Sequence, residues 1–421
     1  MGTMLQSFGD LSVDDDFLGL EGCNEILNVT RPDIVRSVHD AYLEVGVDMI
    51  ETNTFGASRL KLDHYGLEDR VEELNTAAVR IAKEAAGTRA KVAGSMGPTG
   101  RFISPLGDLD FEEAYACFKE QASALAKAGV DYFIIETCID IQEMRAALLA
   151  SKEVAPEIPV ICQLTYSDDG RTVTGTDPQS AAIILEAMGA DVIGVNCSLG
   201  PEQLVPIVQT LAENCDLPIS VQPNAGMPYL ENGETIFPMH PDDFGNWAPK
   251  LLAAGATYIG GCCGTTPAHI KALAAALHGA KDPVRADRPH RLWLASRSKS
   301  ICIDQHLPTV LIGERINPTG KKKLQAELRE GSLNMVRQMA LDQEENGAAI
   351  LDANMGMNGI DEKEMMINTI YEVTSTVDCP LCIDSSHVDI IEAALRIYPG
   401  RALINSISME KEKMDKLLPI A

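Results

Sequence analysis

The run YIGGCCGTTPAHI (258–270) sets Cys262 and Cys263 side by side between glycines, and a third cysteine, Cys197, closes the strand-like GVNC of GADVIGVNCSLG (189–200). Adjacent cysteines do not sensibly bond to each other, so the pair asks for a partner elsewhere. Both runs read as β-strands, and in a parallel barrel their ends share one face, two strands apart. Neighbours along an extended strand point to opposite sides, so Cys262 and Cys263 converge only where the chain leaves strand geometry. Gly260, Gly261 and Gly264 permit that departure. Three thiolates on one rim suit Zn²⁺ at about 2.3 Å per bond and leave a fourth position open, as in catalytic rather than structural zinc. Such a site takes a substrate thiol. A free thiol titrates near pH ~8.5; a coordinated one is deprotonated outright and becomes a nucleophile at neutral pH. Cysteines are also small buried apolar residues, and spacing alone leaves both readings open for these three. For Cys117, Cys138, Cys162, Cys215, Cys302, Cys379 and Cys382 the buried reading is taken.

The elements that position these cysteines follow a repeating rhythm. Short β-rich runs end in small or polar residues and are followed by helical stretches: 46–56, 91–100, 129–138, 159–167, 189–200, 218–226 and 255–264. Amphipathic segments such as FEEAYACFKEQASALAKAG and TPAHIKALAAALHG lie between them. Strands alternating with helices at this spacing imply βαβ units and a parallel sheet. Seven units are one short of the eight that close a (β/α)8 TIM barrel, whose chemistry sits at the strand ends. A doubly wound open sheet is the competing fold, and no early Gly-rich dinucleotide turn supports it.

The segment 281–308 is basic and Pro-containing and reads as a linker. The rhythm then restarts at 309–320, 347–356, 379–386 and 401–408, four strands of a second, partial barrel. This gives a first domain over 1–280 and a second over 309–421.

Bulk properties narrow the function classes. The net charge of −26 argues against a nucleic-acid backbone or an anionic membrane as partner. No apolar run reaches the ~18 residues of a membrane span, and no signal peptide opens the chain. Eleven cysteines without compact secreted-domain spacing point to a reducing cytoplasm.

MGTMLQ, RPDIV, IETNTFGA, GSMGPTG, GVNCSLGP, QPNAG and GGCCGTTPAHI, in that order over most of residues 1–280, resemble the homocysteine S-methyltransferase domain. GERINPTG, LDANMG, CIDSS and ALINSIS resemble the methyltetrahydrofolate-binding (pterin) barrel of the cobalamin-dependent methionine synthases. The resemblance covers nearly the whole chain. It implies that Cys197, Cys262 and Cys263 are zinc ligands with homocysteine sulfur in the fourth position. It implies that Glu136, in IIETC, receives the substrate ammonium, a pairing that suits a carboxylate. Asn53, Thr54, Ser95 and Asn224 are expected on the same rim as orienting groups, although Asn beside Gly equally suits a turn.

In the second barrel, Glu314, Asn317, Asp352, Asn354, Asp384 and Asn405 fall at successive strand ends and are the expected pterin contacts, led by Asp384 and Asn405. An Asp takes two N–H groups of a pterin edge, and an Asn serves a ring nitrogen whose protonation changes. Capping of the following helices is the alternative for each.

The implied reaction makes methionine. The zinc-activated homocysteine thiolate takes a methyl group derived from 5-methyltetrahydrofolate through methylcobalamin, which a domain outside this chain would carry. The family's Asp-Gly-Ala before Met-Gly-Thr, and with it the first strand of the first barrel, is not in the sequence. The chain is therefore expected to be a fragment, catalytically incomplete alone. Three rivals stand beside this reading: a cobalamin-independent homocysteine methyltransferase, a zinc-binding fragment that turns over nothing, and a corrinoid-linked methyltransferase for another thiol.

Overall fold

The structure is a computed structural model that describes residues 1–9, 11–231, 234–283 and 288–421. Its contacts divide the chain into two compact units. The first comprises Met1–Ile103, Asp108–Thr174 and Met188–Asp287; the second comprises Ser104–Gly107, Gly175–Ala187 and Arg288–Ala421.

In the first unit the expected runs are strands β1 (Met49–Glu51), β2 (Lys91–Met96), β3 (Tyr132–Cys138), β4 (Val160–Leu164), β5 (Val192–Asn196) and β6 (Ile219–Gln222). A small antiparallel hairpin, β7 (Tyr229–Glu231) and β8 (Glu234–Ile236), follows, and β9 (Ala256–Ile259) rejoins the sheet beside β6. The order is β1-β2-β3-β4-β5-β6-β9 and every pairing in it is parallel. Every residue of β4 and β5 is buried, and only Lys91 of β2 is exposed. A parallel sheet covered on both faces needs such near-continuous apolar strands instead of alternation.

Helices supply the cover. Phe111–Ala128 starts at Asp110, whose carboxylate accepts the Glu112 N–H, and stops at Gly129 in the left-handed region, φ 91°. Its Leu125 packs so closely on β2 that a side chain at Gly94 would sit 3.0 Å from the Leu125 methyl. The sheet is strongly curled. Gln222 of β6 donates to Glu51 of β1 at 2.7 Å, whereas five strand spacings in a flat sheet would separate these strands by about 24 Å.

In the second unit, β12 (Ile312–Ile316), β13 (Ile350–Asn354), β14 (Leu381–Asp384) and β15 (Leu403–Asn405) form a parallel sheet in chain order. Ahead of them, β10 (Leu292–Ala295) and β11 (Ser300–Ile303) pair antiparallel. The linker expected over 281–308 therefore contains ordered structure; its residues 284–287 lie outside the described residues. The physical reason lies in LWLA and SICI. Leu294 is buried with Ile350 and Cys382, and Ile301 and Ile303 pack on that cluster. Tyr398 fastens the hairpin by donating to the Ala295 carbonyl at 3.1 Å while accepting the Leu381 N–H at 3.0 Å. Proline and basic residues around the hairpin masked these short apolar runs.

Among the described residues no helix is long and apolar enough to cross a membrane.

Candidate metal centre

Cys197 directly follows β5, and Cys262–Cys263 lie just past β9. Their three sulfurs fall within 4.8 Å of one another, half-buried. The Cys197 and Cys263 sulfurs are 3.7 Å apart. Tetrahedral zinc with bonds of about 2.3 Å requires sulfurs about 3.8 Å apart, so the donor set fits such an ion. Without a metal, hydrogen bonds from Cys197 and Cys262 hold the Cys263 thiol well below its ordinary range. Hydrogen bonds with Cys197 and Cys263, together with burial, drive Cys262 up. The three thiols share protons among themselves, and a cation would take the place of those protons.

The backbone brings the cysteines together in a way only partly expected. Cys197 and Ser198 adopt φ of 61° and 53°, an uncommon left-handed turn for side-chain-bearing residues that swings the chain out of β5. Past β9, the segment 223–225 lines up against the pair. The Cys262 N–H donates to the Pro223 carbonyl at 2.8 Å, and the Ala225 N–H to the Cys263 carbonyl at 2.9 Å. Of the three glycines credited with freedom here, only Gly264 has positive φ, 76°. Gly261 is instead a matter of space, since a Cβ would lie 2.6 Å from the Thr265 methyl.

Glu136 lies on β3 with 8% exposure. The β3–β4 register shifts between Ile135 and Cys138, and Thr137 within that bulge has φ 60°. Bulges re-aim side chains next to sites, and this one turns Glu136 toward Ser95 and Asn196. Ser95 Oγ donates to Glu136 Oε1 at 2.6 Å, and Asn196 Nδ2 to Oε2 at 3.3 Å. Burial, and then the Glu51 carboxylate, push the Glu136 carboxyl up to about 8 against the Ser95 hydrogen bond.

The other expected rim residues divide. Asn224 is buried, and its Oδ1 accepts the Cys263 N–H at 3.1 Å. Thr54 supports Ser95 from behind, donating to the Ser95 carbonyl at 2.7 Å. Asn53 is not brought to the sulfurs: its amide donates to the Asn24 carbonyl at 2.7 Å and to Asn28 at 3.1 Å, tying down the preceding segment. Asn196, Thr137, Glu51 and Gln222 were not anticipated. The available signal for Asn196 was its position immediately before Cys197 at a strand end. Of the seven cysteines read as packing residues, six are buried and Cys302 is half-buried.

In the second unit, β13, β14 and β15 put Asn354 beside Asp384 and Asp384 beside Asn405 in register. Asn354 Nδ2 donates to Asp384 Oδ2 at 2.9 Å, and Asn405 Nδ2 to Asp352 Oδ2 at 3.1 Å. Burial raises the Asp352 carboxyl. Glu314 is exposed on the edge strand β12. Asn317 accepts the Thr319 N–H at 2.9 Å in a turn ahead of the helix Lys322–Arg329, whose N-cap is Lys321 and not Asn317. Ser385, which donates to Glu362 at 2.7 Å, was not anticipated.

Comparison with known proteins matches these two arrangements to two families. Residues 1–277 match the homocysteine S-methyltransferase family and residues 313–421 the pterin binding enzymes. The chain is 34% identical over 421 residues to a methionine synthase of Mycobacterium tuberculosis and 33% identical over 428 residues to one of Mycobacterium leprae. Each alignment covers 97% of this chain and 35% of the relative. The chain thus spans about a third of the length of these relatives. Among solved structures, the metallated form of the Escherichia coli homocysteine methyltransferase MmuM is similar, at 26% identity and a TM-score of 0.55. That match covers 65% of this chain and 93% of the other. Its oxidized form has a TM-score of 0.54. Through residues 1–277 the chain belongs to the homocysteine S-methyltransferase family.

Proposed function

We propose that the first unit activates homocysteine for methylation to methionine, and that the second presents part of a 5-methyltetrahydrofolate site. The methyl group would pass through methylcobalamin carried outside residues 1–421. In domain terms we take 1–280 as the homocysteine-binding zinc barrel, 281–308 as the connection and 309–421 as part of the pterin-binding barrel. In fold terms the curled seven-stranded sheet is read as a (β/α)8 barrel lacking its first strand, followed by part of a second barrel. The proximity of Glu51 and Gln222 supports the curvature this needs.

The observation that carries the reading is the cluster of Cys197, Cys262 and Cys263, with all sulfurs within 4.8 Å. Bound there, Zn²⁺ would supply a positive charge that lowers the pKa of a substrate thiol at its fourth position. The chain's own residues do the rest. Glu136 has one oxygen held by Ser95 and the other by Asn196, leaving lone pairs on both for an ammonium. An ammonium would stabilise the ionised carboxylate that burial alone disfavours. Asn224 fixes the Cys263 backbone, and the turn at Cys197–Ser198 fixes the direction of the first thiol. In the second unit, Asp352, Asn354, Asp384 and Asn405 are proposed as pterin contacts, with Glu314 and Asn317 on the strand and turn beside them. The match to pterin binding enzymes over 313–421 favours a folate-derived methyl group over a sulfonium donor.

The test is zinc content and thiol binding. The purified chain should hold about one zinc, lost in Cys262→Ala, and homocysteine should release about one proton per site near neutral pH. A metal-free wild-type chain, or binding without proton release, would overturn the reading.

A further inference from the structure

The side chain of Asn196 is fully buried at the end of β5, between the carboxylate and the sulfur cluster. Its orientation is fixed. Oδ1 accepts the Thr137 N–H at 2.8 Å, so the amide cannot be flipped without opposing two donors. Nδ2 must then face Thr137 Oγ1 at 2.9 Å, Glu136 Oε2 at 3.3 Å and Cys262 Sγ at 3.8 Å. An amide nitrogen has two hydrogens. Three acceptors therefore compete for two N–H bonds, with Thr137 closest and the carboxylate and the sulfur at longer range.

We infer that Asn196 is a positioning residue that couples the two ends of the substrate site, moving N–H donation from Glu136 to the Cys262 sulfur when Glu136 pairs with a substrate ammonium. This rests on the reading of the site given above. A cation at Glu136 draws that carboxylate's charge away from the amide, and the freed N–H has one remaining acceptor in reach. The timing matters because a fourth thiolate would add negative charge to a zinc held by Cys197, Cys262 and Cys263, and an N–H···S bond from Asn196 to Cys262 would offset part of it. The left-handed Thr137 belongs to the same device: its backbone N–H and hydroxyl grip both ends of the amide and prevent it from rotating to serve one partner permanently. Amino-group recognition and thiolate stabilisation are thereby joined through one side chain.

The experiment follows zinc transfer from the intact chain to a chromophoric chelator without thiol, with saturating homocysteine, and with saturating 4-mercaptobutyrate, which lacks only the amino group. In the wild type, homocysteine should slow transfer about tenfold more than 4-mercaptobutyrate, the scale of one hydrogen bond to a charged group. In Asn196→Asp, which keeps the acceptor for Thr137 and loses both donors, the two thiols should protect equally. Glu136→Gln should give the same loss of difference. If thermal melting shows Asn196→Asp unfolded, Asn196→Ser carries the same expectation. A variant at Asn196 that folds, binds zinc and keeps the wild-type difference overturns the coupling alone. A wild type that holds no zinc, or is protected by neither thiol, overturns the site reading and the coupling with it.

Discussion

Asn224 accepts a hydrogen bond from the Cys263 N–H at 3.1 Å, across 39 residues of sequence. One strand end thus holds the backbone of the two-cysteine turn that follows another. The Asn224 N–H is itself used by the Leu199 carbonyl at 3.0 Å, two residues past Cys197, so Asn224 ties both halves of the cluster to one loop.

Removing that tie should loosen the metal before it unfolds the protein. Asn224→Ala leaves the partly buried Cys263 N–H without its acceptor, at a cost of about 1 kcal/mol. We expect zinc to be lost to a chelator at least about tenfold faster, with a smaller drop in melting temperature. Unchanged zinc retention would show that the cluster is held by its own backbone turns.

Glu143 provides a pH-dependent test away from the sulfurs. It is buried, and its Oε1 accepts both the Thr99 N–H at 2.7 Å and the Thr99 hydroxyl at 2.6 Å. Burial pushes its carboxyl up to about 7. The folded state then binds a proton that the unfolded chain has released, so this contribution to stability is full below about pH 4.5 and is lost as pH rises through 7. In Glu143→Gln the amide oxygen keeps both Thr99 bonds. Its unfolding free energy should exceed that of wild type by about 2–3 kcal/mol at pH 8 and fall less steeply between pH 5 and 8. Parallel pH–stability curves for the two proteins would contradict this.

Gly194 tests strand packing under Cys197. A Cβ there would meet the Ser220 carbonyl oxygen of β6 at 2.0 Å, and neither backbone can yield without breaking the β5–β6 pairing. Gly194→Ala should destabilise the first unit by about 3 kcal/mol or more and lower zinc retention, read by thermal melting and metal analysis. A variant that melts as wild type would mean that β5 can shift at little cost.

In the second unit, Asp384 is held by Asn354 at 2.9 Å and is proposed to face the pterin edge. Asp384→Ala should weaken 5-methyltetrahydrofolate binding by at least about tenfold, measured by calorimetry, as expected for losing charge-assisted hydrogen bonds. Zinc content should not change. Equal folate affinity in the variant would remove Asp384 from the site.

Sequence by itself determined the parallel α/β architecture, the seven runs that became β1–β6 and β9, and the four that became β12–β15; it offered the three cysteines as a group only through the family resemblance. These are local properties: buried strands are continuous apolar runs, helices carry their own period, and the ends of parallel strands collect polar residues. Tertiary structure decided the rest, because partners and register exist only once strands are paired. It set the Cys197 and Cys263 sulfurs 3.7 Å apart across 66 residues, and it put the left-handed turn at Cys197–Ser198 instead of at Gly260 or Gly261. It turned Glu136 inward through a register shift that no motif announces. Asn53 and Asn196 have the same chemistry and both sit at strand ends, yet one secures a neighbouring segment while the other faces the sulfurs. Residue type cannot distinguish them; the fold's pairing of distant strands does.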